Sequence, residues 1–93
     1  MSPRVGIITG AAQGIGRGIA LRLAMDGLDL ALNDLSTNAV RLEEVVTIIR
    51  SQGQKAVEVT GDAASEKDVD KLIQVAVEQF GGLDVVSQHE YPT

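Results

Sequence analysis

At 93 residues, with no cysteine and 44% hydrophobic residues, the chain is one small globular domain at most, and disulfides and thiolate metal sites are excluded. A net charge of −5 argues against nucleic acid or an anionic membrane as partner, and no apolar run approaches the roughly 18 residues of a membrane span. Phe80 and Tyr91 are the only aromatics, so an aliphatic core is expected, which suits buried parallel strands under helices.

The opening "MSPRVGIITG" has one arginine and an apolar run too short for a signal peptide, so a cytoplasmic location is expected. Residues 5–9, "VGIIT", read as a first strand running into glycines. From Gly14 to Met25, apolar side chains at Ile15, Ile19, Ala20, Leu23 and Ala24 have helical spacing, and Gly27 ends the helix. "LDLALND" alternates Leu28, Leu30 and Leu32 with Ala31 on the other face, predicting a second strand. In "STNAVRLEEVVTIIRSQG", Ala39, Leu42, Val45, Val46 and Ile49 form one helical stripe that stops before Gly53. "KAVEVTG" is a third strand, with Val57 and Val59 inward. Ser65 and Asp68 form a weak capping box for a third helix, whose buried face is Val69, Leu72, Ile73, Ala76 and Phe80. Gly81 and Gly82 close that helix, and "LDVV" opens a fourth strand at Leu83.

Strands alternating with helices imply parallel pairing and right-handed crossovers. The predicted fold is α/β, a partial doubly wound Rossmann fold with about four strands in the order 3-2-1-4 and helices on both faces.

The loop "TGAAQGIG" lies where strand one becomes helix one. First-turn amides of a helix lack intrahelical acceptors, and the helix dipole adds about half a positive charge there. Phosphate oxygens fit such a site if no side chain blocks the approach. Gly10 allows the tight exit from the strand, Gly14 lets backbone approach a ligand, and Gly16 lets the helix close on the sheet. The alternative is a turn with a close helix contact and no ligand. Asp34 ends strand two, 18 positions after Gly16, near the spacing of about 20 expected for a ribose-binding carboxylate. A carboxylate there accepts both adenosine-ribose hydroxyls and repels a 2′-phosphate, favouring NAD over NADP. Two qualifications stand beside this: Asp34 as a mere cap for "STNA", and Arg17 softening the preference by reaching a phosphate. A Walker loop is excluded because no Gly-Lys-Ser/Thr occurs.

"TGAAQGIG" resembles the Thr-Gly-x-x-x-Gly-x-Gly motif of short-chain dehydrogenases/reductases, and "ALND", "TGDAAS" and "GGLDVV" resemble their following segments. The wording is similar to the acetoin/diacetyl reductase and acyl-carrier-protein reductase types. The resemblance implies a dinucleotide site made of Gly10, Gln13, Gly14, Ile15, Gly16, Asp34, Leu35, Asp62 and Ala63, with Asp62 at the adenine amino group and the Ala63 backbone near the ring. It implies hydride transfer between nicotinamide and an alcohol or ketone.

Residues 1–86 are expected to be the nucleotide-binding half of such a protein, and 87–93 a tail without the family pattern. Gln88, His89, Glu90 and Tyr91 stand where the family has Asn-Asn-Ala-Gly. The abrupt change after Val86 is what an altered transcript, a misplaced exon boundary or a shifted reading frame would produce, and equally what an edited sequence would. The family's catalytic Ser, Tyr and Lys belong to later segments, and Tyr91 has no lysine four residues on. No catalytic residue is therefore assigned, and His89 with Glu90 is too little for a metal site. Three functions follow: an NAD-binding fragment inactive by itself, a structural or regulatory fragment that self-associates or pairs with a full-length relative through exposed sheet edges, or a small enzyme using other residues.

Overall fold

The computed structural model describes residues 4–81 and 85–87. These alternate strand and helix: β1 (Arg4–Ile8), α1 (Gly14–Met25), β2 (Leu28–Asp34), a 3-10 turn (Ser36–Asn38), α2 (Ala39–Ser51), β3 (Ala56–Thr60), α3 (Glu66–Phe80) and β4 (Val85–Ser87). Gly82 and Leu83, expected at the α3–β4 junction, lie outside the described residues, as do Gln88, His89, Glu90 and Tyr91.

All strands are parallel, in the order β3-β2-β1-β4. β2 is the pivot. Every one of its seven residues is buried. Successive strand side chains point to opposite faces. Leu28, Leu30 and Leu32 accordingly join the cluster under α1 and α2, while Ala31 joins the cluster under α3. Burying each leucine is worth about 2 kcal/mol, and a one-residue slip would move all three to the other face, so the leucines fix the register. That register places Leu32 beside Ile8 and Asp34 beside Thr60, so β2 and β3 end level and β1 ends two residues short of them, where the glycine loop begins.

β1 ends at Ile8, one residue before the expected limit, because the chain already bends at Thr9 to enter the glycine loop. α2 begins only at Ala39, because Ser36–Asn38 tighten into the 3-10 turn first. Its stripe of Leu42, Val45, Val46 and Ile49 is fully buried. α3 is less covered than its stripe predicts. Leu72 and Ala76 are buried, but Val69, Ile73 and Phe80 are only half-buried. The buried strand residues in the cluster beneath α3 are Ile7, Ala31 and Val59, fewer than the five stripe positions of the helix. Val57 is half-buried on the same side. α1 and α2 cover one face of the sheet and α3 the other. Loops following β1, β2 and β3 therefore meet at one edge, at the switch point where doubly wound sheets bind ligands.

Candidate functional site

The loop after β1 is shaped by three glycines for two different reasons. Gly10 and Gly14 have φ of 66° and 61°, in the left-handed region that costs an L side chain about 1–2 kcal/mol. At Gly16 the constraint is space. A Cβ there would stand 2.0 Å from the Gly10 carbonyl oxygen and 2.7 Å from its carbon. The first turn of α1 thus packs directly on the strand exit. A Cβ on Gly14 would meet nothing within 4 Å, so backbone is open to a ligand at that point. Gln13 is the N-cap in extended conformation, and the first turn carries no acidic side chain. The amides of Gly14, Ile15 and Gly16 lack intrahelical acceptors at the positive end of the helix dipole. The chemistry of this cradle suits an anion.

Asp34 is only 8% exposed. Its Oδ2 accepts from the Ala12 amide at 2.9 Å, and its Oδ1 accepts from the Leu35 amide at 2.8 Å and from Asn38 Nδ2 at 3.0 Å. The carboxylate thus ties the glycine loop to the turn before α2. A carboxylate has about four lone-pair positions, so Oδ1 is filled and one place remains, on Oδ2. Asp34 organises the loop that follows it, and in this geometry one acceptor position is left open towards the groove.

The opposite wall is held by side chains. Asn33, on the α3 side of β2, donates through Nδ2 to the carbonyls of Val59 at 2.9 Å and Gly61 at 3.3 Å. The Gly61 amide donates to the Asp34 carbonyl at 3.0 Å, and the Ala11 amide to the Asn33 carbonyl at 2.9 Å. The end of β2 therefore holds the loops on both sides of it. Asp68 behaves differently from the expected capping box. Its amide donates to Ser65 Oγ at 3.3 Å, but its carboxylate accepts from the Asp62 amide at 2.8 Å. Asp62 Oδ1 in turn accepts from the Ala64 amide at 2.8 Å, closing the loop on itself.

Between these walls lies an open groove of about 630 Å³. From the predicted set it gathers Gly10, Gln13, Gly14, Asp34, Leu35, Asp62 and Ala63. Ile15 and Gly16 do not line it. Ile15 is 62% exposed, and Gly16 is buried against Gly10. The groove adds four residues the sequence did not flag: Asn33, Asn38, Gly61 and Ala64. Asn33 carried a signal, as a polar residue inside an apolar strand. Arg17 is exposed on α1, whereas Arg41 of α2 donates to the Oε1 of Gln13 on the groove wall. Among the described residues no three His, Cys, Asp or Glu side chains converge as a metal site, and no helix is long and apolar enough to cross a membrane.

Residues 4–88 match the family model for short chain dehydrogenase. The chain belongs to that family. It is 52% identical over 84 residues to the short-chain dehydrogenase/reductase eriH of Hericium erinaceus, covering 88% of this chain and 33% of that protein. It is 42% identical over 83 residues to a diacetyl reductase, (S)-acetoin forming, of Staphylococcus epidermidis, covering 89% of this chain and 32% of the relative. The chain thus spans about a third of the length of the curated relatives it matches. Among solved structures, a short chain dehydrogenase/reductase from Burkholderia phymatum in complex with NAD superposes with a TM-score of 0.85 at 30% identity, over 91% of this chain and 30% of that one. A blue fluorescent protein from a metagenomic library in complex with NADPH superposes with a TM-score of 0.86 at 29% identity, over 91% of this chain and 35% of that one. Both nicotinamide dinucleotides thus occur in structures that share this fold.

Proposed function

We propose that the chain binds the ADP portion of NAD(H) in the groove, as the nucleotide-binding part of a dehydrogenase that moves hydride between nicotinamide and an alcohol or ketone. The observation that carries this reading is the convergence of the glycine loop, Asp34 and the Gly61–Ala64 loop on one groove. The free amide at Gly14, on the groove wall at the start of α1, holds the pyrophosphate. Asp34 takes an adenosine-ribose hydroxyl on Oδ2. Asp62 and Ala63 flank the adenine. The nicotinamide, when bound, supplies the hydride. Asp34 also sets the cofactor. A 2′-phosphate would bring negative charge against a buried carboxylate that already carries three hydrogen bonds, so NAD(H) is preferred to NADP(H).

These 93 residues contain no Tyr-x-x-x-Lys pair, and reduction of a carbonyl needs an acid poised against the developing alkoxide. Bound cofactor without turnover is therefore the expected behaviour of this chain by itself. NADH titration by fluorescence or calorimetry tests the reading. NADH should bind more tightly than NADPH, and Asp34→Ala should abolish that preference. Failure to bind NADH, or tighter binding of NADPH, would overturn it. Turnover of any small ketone or secondary alcohol would overturn the claim of inactivity.

A second reading is favoured by β4. It pairs with β1 alone among the described residues and forms one edge of the sheet. Its other side offers a template for a second copy or a longer relative. Light scattering that shows a monomer with full nucleotide affinity would sink this reading.

A further inference from the structure

Asn38 occupies the N-cap position of α2, where asparagine is among the residues most favoured for bonding the first-turn amides. It makes no such bond. Its side chain turns the other way, and Nδ2 donates to Asp34 Oδ1 at 3.0 Å. Its backbone, at φ −106° and ψ 17°, continues from the 3-10 turn and lacks the extended conformation of a capping residue, which leaves the amide on the groove wall. The carboxylate only accepts, so the amide nitrogen must face Asp34. The amide oxygen is left over as a neutral acceptor, and nothing among the described residues donates to it.

Asp34 has one acceptor position left, on Oδ2, beside the Ala12 amide of the glycine loop. A ribose diol presents two donors. We propose that the diol is divided, with Asp34 Oδ2 taking one hydroxyl and the Asn38 amide oxygen taking the other, so that Asn38 is a second specificity-determining residue. The proposal rests on the ADP-binding reading above. The 3′ carbon is the nearer of the two along the ring to the 5′-phosphate, so its hydroxyl faces the glycine loop and Oδ2. The 2′-hydroxyl then falls to Asn38. The same arrangement rejects a 2′-phosphate twice, because its oxygens meet an amide oxygen as well as a carboxylate. Rotating the amide to greet the phosphate would break its bond to Asp34 and set oxygen against oxygen there.

Calorimetry on the full chain with ADP and 2′-deoxy-ADP tests this without any need for turnover. The wild type should prefer ADP by about tenfold, the effect of one hydrogen bond made on binding. Asn38→Ala should reduce that preference to about twofold or less. Asn38→Gly, in a residue well tolerated at an N-cap, should do the same and decides the matter if the alanine variant folds poorly. An unchanged ratio, with both nucleotides weakened equally, would make Asn38 a mere brace and overturn the proposal. Tighter ADP binding by the variants would also overturn it, by showing that Asn38 competes with ribose for Asp34. Binding of ADP without any preference in the wild type defeats the proposal alone. Binding of neither nucleotide defeats the ADP-binding reading with it.

Discussion

The two walls of the groove are built by different physics. The glycine-loop wall is fixed by backbone: positive φ at Gly10 and Gly14, and contact of α1 with the Gly10 carbonyl at Gly16. The Gly61–Ala64 wall has no comparable steric lock and depends on two side chains, Asn33 from β2 and Asp68 from α3. One wall fails when an atom is added and the other when an atom is removed. Under the proposed ADP-binding reading the first wall would take phosphate by shape and charge, and the second would take adenine, where small shifts of a loop change which edge of the base is met.

The largest effect expected from breaking this contrast is at Gly16. Gly16→Ala puts a methyl 2.0 Å from a carbonyl oxygen held by backbone on both sides. Overpacking of that kind costs about 3 kcal/mol or more, a large share of a small domain's total stability. Urea unfolding should show a midpoint lowered by about 1–3 M, and a near-native midpoint would mean that the loop is soft. Next is Asn33→Ala on the other wall. It strips the Val59 and Gly61 carbonyls of a donor in a site only 3% exposed, for about 2 kcal/mol by the same measurement. ADP affinity should fall with it, because the loop carrying Asp62 and Ala63 loses its anchor. Gly14→Ala is milder than Gly16→Ala although the chemical change is identical. No atom lies within 4 Å, so only the strain of φ 61° counts, about 1 kcal/mol. Its signature is instead in binding, since the new methyl stands where a phosphate would approach.

How much of this was legible follows from what each pattern encodes. β2 and α1 were readable to the residue, because alternating leucines and the spacing of Ile19, Ala20, Leu23 and Ala24 report local geometry, and the glycines that bound the helix report backbone freedom. The glycine loop and Asp34 were readable because their spacing along the chain is itself the motif. Asn38 and Asp68 were not. Both sit at helix starts with the composition of caps, and the local rule assigns them there. The structure gives both carboxamide and carboxylate to partners outside their own helix, Asp34 and the Asp62 amide. Both bonds are local, four and six residues apart, but they fold a helix-start side chain back onto the end of the preceding strand or loop, and a capping rule that looks only into the helix does not contain that. The shortfall of burial on α3 has the same origin, since a helical stripe says which face is apolar and not what lies beneath it.

Asp68→Ala should be the smallest perturbation of stability and the most informative about the Gly61–Ala64 wall. Its bond to the Asp62 amide is exposed, so water replaces the lost acceptor and the cost is about 0.5 kcal/mol. Removing it nonetheless frees the Asp62 amide, and the remaining side-chain bond of Asp62, Oδ1 on the Ala64 amide, moves with the loop itself. If Asp62 recognises the adenine amino group, the wild type should bind ADP more tightly than inosine diphosphate, which has a carbonyl at that position. Asp68→Ala should erode that preference while leaving the preference for ADP over 2′-deoxy-ADP intact, because the Asp34 and Asn38 side chains bond each other and the glycine loop, and neither bonds Asp62 or Asp68. Loss of both preferences together would mean that the two walls are one cooperative unit, and the contrast between a wall set by backbone and a wall set by side chains would fall.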